Sequence, residues 1–348
     1  MENLTAPTRP GTRRFLGVCL LAAGVILAGI ASLALGARFM SLSDLITAIR
    51  PAWEALHTRT TGGSDGEVIA MLRVPRTVIS LCAGAALGVS GALIQGHTRN
   101  PLADPGILGV TSGAAFAVVF GFTFLSVEST SATAIAAFIG ALAAAAAVFG
   151  IAAMGRGSVN PLSLILAGAA LSALLGSMTT ALVLADARTM DRIRFWTVGS
   201  VARATLDTAW VLGPIMLIFV AIALSTGPTL NALALGEESA SGLGVNVTRA
   251  RIIGLVLISL LAGTATAAAG PIAFVGLVVP HIARTFTGPD NRWILPLSAL
   301  AGALMLTIAD VLGRIILSSG ELEVGIVLAF IGGPFFIAFV RRKRLLSL

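Results

Sequence analysis

A chain of 348 residues with 56% hydrophobic and only 11% charged side chains, at a mean hydropathy of +0.96, is too apolar for a water-soluble globule and predicts a polytopic membrane protein. The formal net charge is +7, but the arginines are scattered between apolar runs and not gathered on one soluble face, which excludes a nucleic-acid footprint. Lys343 is the only lysine and lies in the basic C-terminal run, so there is no G-x-x-x-x-G-K-[ST] phosphate loop and any ATP must be bound by another chain.

Residues 1–14 read as a polar tail carrying Arg9, Arg13 and Arg14. The apolar run 15–37 is longer than a signal-peptide core and predicts a first crossing. A long polar segment, 38–67, follows with Asp44, Trp53 and His57. Residues 73–114 then set two arginines, Arg73 and Arg76, around Pro75, continue through about twenty apolar residues, enough to span a bilayer as a helix, and close on RNPLADPG. Within that crossing Ser80, Gly84, Gly88, Ala92 and Gly96 recur at every fourth position, a small-residue face that lets neighbouring backbones approach and places this helix inside a bundle. The turn residues Asn100, Pro101 and Asp104 are read as structural.

Crossings three to five are expected at 106–125, 132–154 and 162–184. The stretch 186–206 around FWTVGS suggests an interfacial helix with Trp196 near headgroup depth, and crossing six follows at 207–226. Residues 228–249 are too short and charged to span, and read as two short helices against a membrane face. Crossings seven to ten are placed at 250–269, 272–287, 294–317 and 324–340, the eighth being short and holding Pro280 and His281. A basic tail occupies 341–348.

Ten crossings put both termini on one side, and the arginines flanking the first and last crossings place that side in the cytoplasm. This leaves Arg38, Arg50, Arg59, Arg73, Arg76, Arg188, Arg192, Arg194, Arg203 and Arg314 outside, an excess that an acidic partner or an anionic substrate would explain. Asp310 is the only carboxylate well inside an apolar run and stands four residues before Arg314, the spacing of a structural ion pair. His281 reads as a hydrogen-bonded packing residue. Cys19 and Cys82 fall in crossings as small hydrophobes, and no His, Cys or carboxylate cluster suits a metal or other cofactor. By residue chemistry alone Arg73 and Arg76 suit either headgroup snorkelling or partner docking, and Glu237 and Glu238 either a solvated loop or a coupling element.

Six strings, RVPRT, GALIQGHTRNPLADPGILGVTSGA, FWTVGS, LGEESASGLGVNV, AGPIAFVGLVVPHIAR and GIVLAFIGGPFF, resemble in sequence and order the FecCD-type permease subunits of ATP-driven importers for ferric siderophores, haem and cobalamin. The likeness covers all but roughly the first seventy residues. It implies an all-α, cobalamin-importer-like permease fold of about ten helices in a bacterial cytoplasmic membrane. The pore would form with a second permease chain, same or different, with two ATPase subunits inside and a substrate-binding protein outside. By this resemblance Arg73, Arg76 and Arg314 dock the binding protein. Glu237, Glu238, Leu243 and Gly244, in GEESASGLG, couple to the ATPase, and an inner gate falls at Ser158, Asn160, Pro161 and Leu162. Here Asn160 and Pro161 replace the small hydroxyl residues of the cobalamin permease. The TRNPLADP and RFWTVGS strings look most like ferric siderophore permeases. Two other classes remain as alternatives: an ion-coupled secondary transporter, which needs ionisable groups at the midplane, and an intramembrane enzyme, which needs a catalytic constellation that three scattered histidines do not supply.

Overall fold

A computed structural model describes residues 10–36, 39–59, 63–154, 161–317 and 320–341, which are helical with short connections and contain no strand. In chain order the helices are α1 (Pro10–Ala34), α2 (Leu42–Thr58), α3 (Asp65–Val68), α4 (Val74–Thr98), α5 (Val110–Phe124), α6 (Thr130–Ala153), α7 (Pro161–Ala185), α8 (Ala187–Thr197), α9 (Leu206–Leu224), α10 (Gly227–Ala234), α11 (Glu237–Gly242), α12 (Val247–Ala269), α13 (Val275–Thr287), α14 (Asn291–Ile315) and α15 (Val324–Arg341). Seven are long and apolar enough to cross a membrane alone: α1, the run from α3 through α4, α6, α7, α9, α12 and α14. The other three expected crossings, α5, α13 and α15, are shorter. At ~1.5 Å per residue the 13 residues of α13 reach about 20 Å, and they are preceded by non-helical backbone at 270–274 in which Phe274 is left-handed at φ 69°.

The bundle is built around α4, whose spanning window is 89% buried and which packs on α14, α12, α9 and α13. The small-residue face explains why. A Cβ added to Gly84 would lie 2.3 Å from the Gly302 carbonyl oxygen, and one added to Gly88 would lie 2.2 Å from that of Ser298, so α4 and α14 touch backbone to backbone. Ala92 is fully buried, and Gly96 is covered by Leu230 of α10. Ser80 begins the same face with a 3.1 Å hydroxyl contact to Thr307. Gly91, off this stripe, makes the tightest approach of α4, since a Cβ added there would lie only 1.9 Å from the Gly276 oxygen at the start of α13.

The polar segment before α4 folds more than its composition suggests. It contains α2, opened by a capping box in which Ser41 and Asp44 satisfy each other's backbone N–H. One face, with Ala48, Ala52 and Ala55, packs on Ile69 and Ala70, and Ile46, Ile49 and Trp53 stay exposed on another. That pattern is the amphipathic period of an interfacial helix. The expected interfacial helix around Trp196 and the two short helices of 228–249 are present as α8, α10 and α11. We call the end of the bundle carrying α10 and α11 basal and the opposite end apical. α1 begins at the basal end, where Arg14 pairs with Asp290 at 3.5 Å, and α15 runs back toward that end.

Candidate functional site

At the apical end α1 and α14 finish, α4 begins, and their charged residues converge. Arg76 forks onto Asp310, its Nε donating to Oδ1 at 3.0 Å and its Nη2 to the same oxygen at 2.8 Å, and its Nη1 donates to Glu321 Oε2 at 2.7 Å. Arg314, one helical turn after Asp310, donates to the other carboxylate oxygen and to the Ser32 hydroxyl at 3.1 Å, and its Nη1 reaches the Ser32 and Leu35 carbonyls at 2.8 and 3.2 Å. Arg73 ends a π-helical turn, Ile69–Arg73, and its Nη1 donates to the carbonyls of Leu33 and Ala34 at 2.5 and 2.9 Å. The last carbonyls of any helix lack intrahelical donors and carry partial negative charge. Arg73 and Arg314 cap those of α1.

The three arginines expected as an outward docking patch are thus brought together but turned inward, Arg73 and Arg314 each at 6% exposure. Asp310 and the end of α1 hold them there, because a buried guanidinium requires a carboxylate or carbonyl partner. The cluster still sets three guanidiniums against two carboxylates, and its outermost member, Glu321, is partly exposed. The expected Asp310–Arg314 pair is present, with Arg76 as a third member. Sequence reading missed Glu321, Ser32 and the π-turn. The acids Glu321 and Glu323, two residues apart before the last crossing, were the available signal for the first of these.

The basal end carries the second group. Asn231 of α10 donates to Asp290 at 2.8 Å and accepts the backbone N–H of Asn291 at 2.8 Å, fixing α10 under the start of α14. Gly236, at φ 113°, turns the chain into α11, where Glu237 accepts from Arg251 Nη2 of α12 at 2.6 Å. Glu238 is exposed, as are Leu235 and Leu243, and Gly244, at φ 82°, returns the chain to α12. Glu237, Glu238, Leu243 and Gly244 therefore share one protrusion, tied to the bundle by Arg251 and by the buried Ala240. Of the expected gate, Ser158 and Asn160 lie outside the described residues, Pro161 begins α7, and Leu162 is exposed.

The loop after α4 is structural, as read. Asn100 Oδ1 accepts the Leu102 N–H at 2.9 Å, and Asp104 Oδ1 accepts that of Gly106 at 2.8 Å. Burial raises the carboxyl of Asp104 above its ordinary range, opposed by that N–H donation. His281 Nε2 lies 2.9 Å from the Pro101 carbonyl, the packing role expected of it.

Three strings far apart in sequence meet at the apical end. Ser200 N–H donates to Ala269 O at 2.7 Å, and Gly325 N–H donates to Gly199 O at 3.1 Å. A Cβ on Gly199 would meet Pro271 O at 2.2 Å, and one on Gly325 would meet Val198 O at 1.8 Å. The strings FWTVGS, AGPI and GIVL are therefore laced by main chain.

The FecCD transport family model matches residues 24–342. The chain belongs to the FecCD transport family. The ferric enterobactin permease FepD of Escherichia coli K12 is 43% identical over 319 residues, covering 92% of this chain and 93% of that one. The hemin permease HmuU of Yersinia pestis is 37% identical, covering 92% and 95%. The solved structure of a metal-chelate type ABC transporter in an inward-facing conformation superposes with a TM-score of 0.80 at 30% identity, over 92% of this chain and 97% of that one. This FecCD chain is accordingly a permease subunit of an ABC importer, and its laced apical strings and basal protrusion are parts of a transport machine.

Proposed function

We propose that this permease moves a ferric siderophore across the bacterial cytoplasmic membrane, with a separate ATPase supplying the energy. The observation that carries the cargo is the 43% identity to a ferric enterobactin permease over nearly the whole of both chains. A Bacillus subtilis relative described as a probable siderophore permease is 38% identical. The alternative cargoes within the family, haem and cobalamin, belong to relatives at 37% and 38% identity. Uptake of radiolabelled iron chelates into proteoliposomes holding the full complex decides among them: ATP-dependent accumulation of a ferric siderophore, unaffected by excess cobalamin or haem, is the expected result. Accumulation driven by an ion gradient without ATP would reject the whole reading. Asp310 does not suit ion coupling, since it lies at the apical end and is neutralised by two arginines.

In this reading a second permease chain completes the pore, two ATPases sit at the basal end, which faces the cytoplasm with both termini, and a binding protein docks apically. Helix α7 supports the permease partner. Its window is only 17% buried, and it presents Gly176, Ser177 and Thr180 outward, side chains that suit a protein or aqueous neighbour better than lipid. The α10–α11 protrusion, with exposed Leu235, Glu238 and Leu243, supports the ATPase contact. Replacing Glu237 and Glu238 together by alanine should leave the permease inserted and lower both ATPase co-purification and uptake. Unchanged values for both would remove the coupling assignment. Docking is assigned to the rim of the arginine cluster. There Arg76→Glu, which turns the cluster's excess of positive charge into an excess of negative charge, should weaken binding-protein affinity, and added salt should weaken that of the unaltered chain, since the attraction is screened within about 8–10 Å. Equal affinities at low salt would reject that face.

A further inference from the structure

We propose that the basal cavity between α4, α10, α13 and the start of α14 is a binding site for a phosphate-class anion. Its volume is about 220 Å³, and its lining includes Arg99, Arg284, His281 and Asn291 over an apolar floor of Leu230 and Ile294. Arg284 Nη1 donates to the amide oxygen of Gln95 at 2.7 Å, while its Nε is buried with no acceptor. Arg99 donates to the Leu233 carbonyl. Neither guanidinium forms an ion pair with a carboxylate among the described residues. The neighbouring acid, Asp290, is outside the lining and engaged by Arg14 at 3.5 Å and Asn231 at 2.8 Å.

Arg284 is half-buried without a carboxylate partner and shares this space with the more exposed Arg99, so positive charge gathers there with no counter-charge, and a guanidinium drawn partly out of water is normally paired. Arginine presents planar forks of N–H donors that match the oxygens of a phosphate. Size narrows the ligand further. The cavity holds the equivalent of about seven waters at ~30 Å³ each and is smaller than the ~300 Å³ at which pockets for whole small molecules begin. It encloses a phosphate group, and the rest of any larger ligand lies outside it. The rim at Ala234, Gly288 and Pro289 is exposed, so a phosphodiester headgroup can enter with its chains outside, as basic pockets between membrane helices take anionic lipid. Free phosphate has the same chemistry. Either would bridge α10 to α13 and α14, and so stiffen the attachment of the basal protrusion.

The test uses the full-length chain in a neutral detergent, titrated in one arm with short-chain phosphatidylglycerol and in the other with inorganic phosphate. Bound ligand is counted by native mass spectrometry and affinity is read from the saturable rise in Tm. Saturation by the lipid alone assigns the headgroup, and saturation by phosphate assigns the free ion. Arg284→Gln is expected to weaken whichever binds by roughly 10- to 100-fold, the effect of losing a charge-assisted donor, with Arg284→Lys intermediate. Should Arg284→Gln not fold, Ala234→Phe blocks the rim without touching either guanidinium and should abolish binding. No saturable binding of either probe, or equal affinity in the unaltered and variant chains, overturns the proposal.

Discussion

Asp310→Ala should destabilise the permease by about 3–5 kcal/mol, the usual cost of removing one partner from a buried ion pair. The carboxylate is shared by Arg76 and Arg314, whose side chains are 12% and 2% exposed, so its loss strands positive charge from two helices at once. Arg76 retains Glu321 and Arg314 retains Ser32, which keeps the loss at the scale of a single pair. Unfolding in a detergent titration measures it, with Asp310→Asn as a milder variant that keeps an acceptor for Arg76. The double change Asp310→Leu with Arg314→Met should recover part of the loss, because removing both charges leaves less unpaired than removing one. A single Asp310→Ala variant that unfolds with the unaltered chain would show that the cluster is not what joins α1, α4 and α14.

An effect of similar size is expected at the centre of the bundle. Gly91→Ala would put a methyl group 1.9 Å from the Gly276 oxygen and 2.4 Å from its Cα, and Gly88→Ala would put one 2.2 Å from the Ser298 oxygen. Both neighbours are main chain and cannot rotate aside, so α4 must move off α13 or α14 bodily. Overpacking that side chains can absorb costs about 1–3 kcal/mol, and these substitutions should reach or exceed the top of that range. Gly29→Ala and Gly150→Ala are the controls. Nothing lies within 4 Å of either added Cβ, and alanine gains roughly 0.5–1 kcal/mol over glycine within a helix. Monodisperse yield and the unfolding midpoint should fall for the first pair and hold or rise for the second. Four equal midpoints would contradict the close approach of these helices.

The sequence made the architecture legible where period and length carry the signal. Apolar runs located the crossings, the fourfold spacing of Gly84, Gly88, Ala92 and Gly96 identified the central helix, and Asp310 pointed to Arg314. Gly91 escaped because it faces α13 and not α14, and a stripe drawn on one face cannot report a contact on another. Helix α2 was hidden because its inward face is made largely of alanines that scarcely register beside its charges. Arg73, Arg76 and Arg314 were expected to share one end of the molecule, as they do, but their direction was not legible. Whether a guanidinium looks outward or caps a neighbouring helix depends on where α1 ends, and nothing local to Arg73 or Arg314 encodes that.

The main-chain ties among 198–200, 269–271 and 325 have a consequence for what this protein can become. Amide and carbonyl groups are supplied by every residue type except for the missing N–H of proline, so these ties ask nothing of side chains beyond the absence of a Cβ at Gly199, Gly270 and Gly325. The main-chain frame and the side chains it carries are therefore specified separately. A substitution at the exposed Arg203 would change the surface this frame carries without loosening it, whereas a single methyl group at Gly325 would disturb the frame itself.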